Sequence, residues 1–297
     1  MTTKKTRTRV GAALAGALSI SLLAAGCGSG DDAADDNSIT LGIIPSWTDG
    51  LSTAYLWQHV LEEEGYDVEI QELADAAPLY AGLANGDVDV FPSAWPEVTH
   101  ADYMDQYEDD LEDIGTYYGN AKLTFAVPTY SDITSIAELP DYVDELGGQI
   151  YGIEPGAGLT RTTKESVIPT YGLEDFTLVE SSTAAMLAEL QSATDAEEPI
   201  VVTLWKPFWA NSAFPVKDLE DPEGALGDSE GLHLLGRDGF SEDHSEIAEM
   251  MARLDLDDEQ YGSLEDMVVN EYGEGREAEA VDAWFEQNPD VLEALQG

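Results

Sequence analysis

From Ile39 onward, apolar residues fall in short blocks that alternate between strand-like and helix-like spacing. The stretch 39–44 predicts a strand, and 51–64 carries helical spacing that stops at Gly65. A short strand at 68–70, a helix at 78–84 and a strand at 88–91 follow, the last running toward Trp95. The same order then returns: strand 149–153, helix 159–170, strand 176–179, helix 182–192, and strand 200–204 ending at Trp205. Alternation of this kind implies parallel sheets covered by helices, an α/β architecture.

The two runs are related by an offset of 110 residues. Gly42-Ile43-Ile44-Pro45 answers Gly152-Ile153-Glu154-Pro155, and Trp95 answers Trp205. The second helices correspond after a three-residue slip, 77–83 against 184–190. Trp47 follows the first Pro turn. The chain therefore reads as two similar α/β halves. In open sheets of this type, ligands bind beyond the carboxyl ends of the strands. Trp47, Trp95, the turn Pro155-Gly156-Ala157-Gly158 and Trp205 all follow strands, so all four can face one cleft. The strand 122–127, ending at Pro128, reads as a first crossing between the halves, and 206–214 as the return. Residues 241–296 read as mostly helical and acidic, packing back onto the first half. The expected division is 39–125 with 207–297 as lobe 1, and 126–206 as lobe 2.

The N-terminus has a separate character. Lys4, Lys5, Arg7 and Arg9 precede an apolar stretch, 10–25, that is too short for a membrane span. Residues 1–26 read as a secretory signal peptide. Leu22-Leu23-Ala24-Ala25-Gly26-Cys27 resembles a bacterial lipobox, although Ala24 stands where Leu is usual and Leu23 is one step early. Cys27 is the only cysteine, so no internal disulfide can form. It is the expected lipidation point, opening a small, acidic tether over 27–38. This places the protein outside the cell, lipid-anchored to the outer face of the bacterial cytoplasmic membrane.

Charge narrows the partners. The chain has 12 Lys+Arg against 61 Asp+Glu, a net charge of −49, and loss of residues 1–26 takes this to −53. There is no basic face for phosphates, which excludes nucleic acid. The acid excess reads as a solvated surface suited to salty or acidic surroundings. Enzyme motifs are missing: no G-x-S-x-G, no H-E-x-x-H, no P-loop. His59, His100, His233 and His244 are dispersed, so no metal-ligand set is visible. The run 255–259 hints at a calcium loop, but Gln260 stands where the turn glycine belongs. No cofactor is expected. A metal carrier or another class of cell-surface lipoprotein is the alternative class.

Four segments in order carry a resemblance: Trp47-Thr48-Asp49; Ser93-Ala94-Trp95 with His100 five residues on; the run 151–159, Tyr-Gly-Ile-Glu-Pro-Gly-Ala-Gly-Leu; and Trp205-Lys206-Pro207-Phe208-Trp209. Together with Leu219-Glu220-Asp221-Pro222 and Asn288-Pro289-Asp290, they resemble the glycine betaine-binding proteins of osmoprotectant ABC importers. The resemblance spans 39–297. It implies a two-lobed, periplasmic-binding-protein-like fold with a ligand cleft between lobes joined by two crossing segments. It implies that Trp47, Trp95 and Trp205 surround a quaternary ammonium group, and that His100, Gly158 and Leu159 hold a carboxylate. It also implies an ABC permease and its ATPase complex as membrane partners. Choline or carnitine is the alternative ligand. Phe208 departs from the pattern, since several relatives carry His between the two tryptophans.

The chemistry of the residues agrees. A trimethylammonium group has no N–H, and indole faces attract a cation by roughly 0.5–2 kcal/mol each. A carboxylate needs donors, which a glycine turn opening a helix and a His ring supply. Asp49 has two readings, contact with a ligand cation or capping of the helix near Leu51. Trp57 and Trp284 read as helix packing. Trp209 is unassigned, and the Tyr117-Tyr118 pair is a further aromatic wall at most.

Overall fold

The computed structural model describes residues 37–297. The signal peptide, the lipobox with Cys27 and the tether up to residue 36 lie outside the described residues. Nine strands form a mixed sheet: β1 (Ser38–Ile43), β2 (Asp67–Glu72), β3 (Val90–Ala94), β4 (Leu111–Pro128), β5 (Gln149–Tyr151), β6 (Thr177–Val179), β7 (Val202–Lys206), β8 (Val216–Asp218) and β9 (Glu230–Arg237). Their order is β2-β1-β3-β9-β4-β7-β5-β6, with β8 also on β4.

The internal repeat is visible in this order. β1 pairs in parallel with β2 and β3, and β5 pairs in parallel with β6 and β7. The set β2-β1-β3 thus recurs as β6-β5-β7. The antiparallel strands β9 and β4 lie between the two sets.

β4 is the shared element. Its first part, Leu111 to Ala121, pairs with β9, and its last part, Lys122 to Ala126, pairs with β7. The sequence pattern predicts only the second part. Glu112, Asp113, Gly115 and Gly119 break the alternation in the first part, where the pairing with β9 shifts register three times. β9 also lies outside the predicted strands. All but its last residue are buried, so the run has no polar face to alternate with.

The helices are α1 (Thr48–Glu63), α2 (Ala76–Asn85), α3 (Ala101–Tyr107), α4 (Gly158–Thr162), α5 (Ile168–Tyr171), α6 (Thr183–Ala196) and α7 (Ala210–Ala213). The last group is α8 (Phe240–Asp243), α9 (Ser245–Met251), α10 (Asp258–Asp266), α11 (Glu277–Gln287) and α12 (Pro289–Gln296). A π-helical turn at Thr163–Val167 joins α4 to α5, so helix 159–170 of the sequence reading is present as one continuous helical segment. Asp75 accepts from the Ala76 N–H at 2.8 Å to start α2, and Ser182 accepts from Ala185 at 3.2 Å to start α6. The helical C-terminal region packs on the first half as the pattern predicts, with α11 against α1. Trp57 and Trp284 are fully buried there, each burial contributing about 1.5–3 kcal/mol or more.

The stretch after β7 stays near β4 and the helical segment that carries Ser166 and Tyr171. β8 pairs with Ala126–Pro128, and Glu220 bridges to Ser135. The Tyr171 hydroxyl donates to Asp221, and Ser166 Oγ donates to the Ala225 carbonyl at 2.7 Å. Only with β9 does the chain return beside β3.

Candidate ligand-binding site

The carboxyl ends of two parallel pairs, β1 with β3 and β5 with β7, converge. Trp47 follows β1 and Trp95 follows β3, while Gly158 and Leu159 open α4 after β5, and Trp205 stands in β7. These residues line one cavity with Asp49 and His100. Every position singled out for a ligand therefore meets at one place. Its space measures about 330 Å³ including the mouth. Thr99, Leu123, Ile153 and Ala157 complete the lining. Sequence reasoning missed Thr99, Leu123 and Ile153, whereas Ala157 lies in the 155–158 turn it aimed at the cleft. Thr99 adjoins a predicted residue, while Leu123 comes from β4 and carries no local signal.

All three tryptophans are buried, and each is fixed by a different contact. The Trp47 indole N–H donates to Glu154 Oε2 at 3.1 Å. The Trp95 indole N–H donates to Asp49 Oδ2 at 3.1 Å. Trp205 stacks on Phe208, with centroids 3.9 Å apart and planes at 16°. Phe208, the departure from the resembled pattern, thus backs Trp205. Trp209 meets Phe208 edge-on and lies outside the cavity lining.

Asp49 does not cap the helix. α1 begins at Thr48, with Trp47 at the cap position and no side-chain cap. Asp49 Oδ2 accepts from Ser93 Oγ at 2.6 Å as well as from Trp95. Oδ1 is buried and has no partner among the described residues. Burial raises the Asp49 pKa, opposed by the Ser93 and Trp95 bonds. A buried carboxylate oxygen without a partner is costly, so this corner favours a cation.

His100 offers the opposite chemistry. Its Nδ1 lies 3.1 Å from the Trp95 amide nitrogen and 2.9 Å from the Tyr80 hydroxyl. Burial, aided by Arg161, lowers its pKa to about 3, so the ring is neutral. An amide N–H only donates, hence Nδ1 accepts and the ring proton sits on Nε2. The ring also stacks on Trp47, 6.0 Å between centroids and 17° between planes. At the start of α4, the N–H groups of Gly158 and Leu159 have no acceptor among the described residues.

The loop after β3 and the turn after β5 are bonded to each other. Arg161 Nη2 donates to the carbonyls of Val98 at 3.1 Å and Thr99 at 3.3 Å, and Nε pairs with Asp102 at 3.0 Å. The Gly156 N–H donates to Asp75 at 3.0 Å, and the Tyr103 hydroxyl donates to the Gly156 carbonyl at 2.8 Å. Gly158 is required by this contact, since a Cβ there would lie 1.8 Å from the Thr99 carbonyl oxygen. Tyr117 and Tyr118 stand apart from the cavity. They bond to Thr53, Tyr261 and Asp258 within the first half.

A cavity beyond parallel strand ends, lined by indoles and by unpaired polar groups of both signs, defines a small-molecule binding protein. Residues 37–287 match the family described as the substrate-binding domain of the ABC-type glycine betaine transport system, and the chain belongs to that family. The glycine betaine/carnitine transport binding protein of Listeria monocytogenes is 36% identical over 157 residues, which cover 51% of this chain and 50% of that protein. The match thus spans half the length of that relative. The glycine betaine/L-proline-binding protein of an ABC transporter of Borrelia burgdorferi has a similar crystal structure, with TM-score 0.80 and 30% identity over 87% of this chain and 96% of that one. A lactococcal protein crystallised closed on glycine betaine gives TM-score 0.79 at 27% identity, covering 87% of this chain and 98% of that one. Among the described residues, no helix is long and apolar enough to cross a membrane.

Proposed function

We propose that this chain is the extracytoplasmic binding component of an ABC importer, taking glycine betaine or a related quaternary ammonium osmolyte. The carrying observation is that one cavity holds two chemistries. Trp47, Trp95 and Trp205 offer ring faces to a cation, and Asp49 Oδ1 adds an unpaired acceptor atom. His100 Nε2–H and the Gly158 and Leu159 N–H groups offer donors to an anion. A zwitterion with a trimethylammonium and a carboxylate satisfies both sets. Each indole contributes about 0.5–2 kcal/mol to the cation once water is excluded.

In this reading the chain is two lobes that close on the ligand by hinge bending. Lobe 1 begins at Ile39, and the first crossing lies within β4 near residue 125. We read the return crossing, taken from sequence at 206–214, as the stretch before β9, a reading supported by the bonds of β8, Glu220 and Asp221. The loaded protein presents the ligand to a membrane permease and its ATPase. A lipid on Cys27 holds it at the outer face of the membrane, and two or more acyl chains anchor stably. Cys27→Ala moves the protein out of the membrane fraction without altering binding by the purified chain. Recovery of wild type wholly in the medium contradicts the anchor.

Calorimetric titration with glycine betaine, proline betaine, carnitine and choline tests the function. The reading predicts saturable one-to-one binding, with a carboxylate-bearing compound tighter than choline. No binding by any of the four overturns it.

A further inference from the structure

Glu154 follows β5, is buried, and has no ion-pair partner among the described residues. Its carboxylate accepts four hydrogen bonds, all from neutral donors. Oε1 receives Ser46 Oγ at 3.3 Å and the Thr183 N–H at 2.9 Å. Oε2 receives the Trp47 indole N–H at 3.1 Å and Thr183 Oγ1 at 2.8 Å. Thr183 opens α6, beside Glu154 in its own half of the sheet, whereas Ser46 and Trp47 belong to the turn after β1 in the other half. One carboxylate therefore holds donors from both halves, and one of them is the polar handle of a cavity-lining ring.

We infer that Glu154 is a positioning residue whose carboxylate grips the Trp47 indole across the cleft, coupling closure to the orientation of that ring. The inference rests on the binding function proposed above. Opening the cleft withdraws Ser46 and Trp47, leaving Glu154 with only Thr183 and the indole N–H without its acceptor. A carboxylate buried at a junction binds N–H and O–H groups more strongly than a neutral acceptor does. The indole face is then correctly turned only in the closed state. Trp95 has the corresponding contact, to Asp49, within its own half. Opening thus disturbs one ring and not the other.

The test is a double-mutant cycle on the full chain, using Glu154→Gln, Trp47→Phe and the double variant. Affinity for glycine betaine and choline is read by titration, and release by stopped-flow tryptophan fluorescence. Trp47→Phe keeps an aromatic face but removes the N–H. Glu154→Gln in the wild-type background is expected to weaken both compounds about tenfold, mainly through faster release. In the Trp47→Phe background it is expected to change affinity by less than about twofold, because its target is already gone. Equal losses in the two backgrounds overturn the inference, since Glu154 would then act only through Thr183 and the fold. Unchanged binding in Glu154→Gln also overturns it. If Glu154→Gln does not fold, Trp47→Phe alone decides: accelerated release supports the coupling, and a wild-type release rate overturns it. Wild-type protein that binds neither compound overturns the functional reading itself, before any variant is compared.

Discussion

The backbone N–H of Trp95 donates to Nδ1 of His100 at 3.1 Å, so one lining residue sets the tautomer of another five positions on. The Tyr80 hydroxyl meets the same nitrogen at 2.9 Å. These contacts occupy the acceptor side of the ring and leave Nε2–H as the donor. The imidazole therefore works as a neutral hydrogen-bond donor and not as a charged one.

That arrangement predicts a pH response. In the unfolded chain His100 titrates near 6.5, but burial in the fold lowers this to about 3. The folded state thus resists the proton. The stability from neutral His100 is complete above 6.5 and is lost as the pH falls toward 3. In thermal melts, His100→Gln should lose less stability than wild type as the pH drops through this window. Betaine affinity should be flat from about pH 6 to about pH 8. Parallel acid slopes for the two proteins contradict the neutral ring.

Glu265 on α10 gives the opposite sign. It is buried against the Thr48 hydroxyl, next to the turn that carries Trp47. Burial, with Asp49 adding repulsion, raises its pKa from 4.5 to about 8. The folded state holds this proton better than the unfolded chain. The associated stability is complete below 4.5 and is lost as the pH rises through about 8. Glu265→Gln, which cannot ionise, should gain melting temperature relative to wild type as the pH goes from about 6 to about 9. A pH-independent difference contradicts the buried proton.

Gly158→Ala tests the contact between the two loops. Its Cβ would fall 1.8 Å from the Thr99 carbonyl oxygen, and backbone cannot yield there as a flexible side chain would. Relief requires the turn after β5 to move away from the loop carrying His100. Overpacking of this kind costs about 1–3 kcal/mol, so ligand affinity should fall roughly ten- to hundredfold. Circular dichroism should retain the α/β signature. Wild-type affinity would mean that the two loops need not touch in the bound state.

The sequence shows some of this directly and hides the rest for physical reasons. Parallel strands followed by turns were legible because β1, β3, β5 and β7 are short apolar runs that end at Pro, Trp or Gly. The repeat gave the meeting of Trp47, Trp95, the 155–158 turn and Trp205. β9 was hidden because a strand buried on both faces has no alternation. The first part of β4 was hidden by its glycines and acids. Glu154 and Ser93 were seen only as letters of a motif. Their partners are Trp47 and Asp49, 107 and 44 residues away, and no local pattern reports such pairs. Asp49 as a helix cap failed because α1 starts three residues earlier than its apolar spacing predicts. Leu123 reaches the cavity only because β4 passes between the two halves.

The central claim is that three indoles hold a quaternary ammonium group. Trp47, Trp95 and Trp205 line one cavity, each held by a different neighbour. The most direct measurement is calorimetric titration of glycine betaine into wild type and into Trp47→Ala, Trp95→Ala and Trp205→Ala. Each ring should be worth about 1–2 kcal/mol, so each variant should bind roughly five- to thirtyfold more weakly. Choline should lose by a similar factor, since its ammonium is the same. Wild-type affinity for glycine betaine in all three variants would contradict the account.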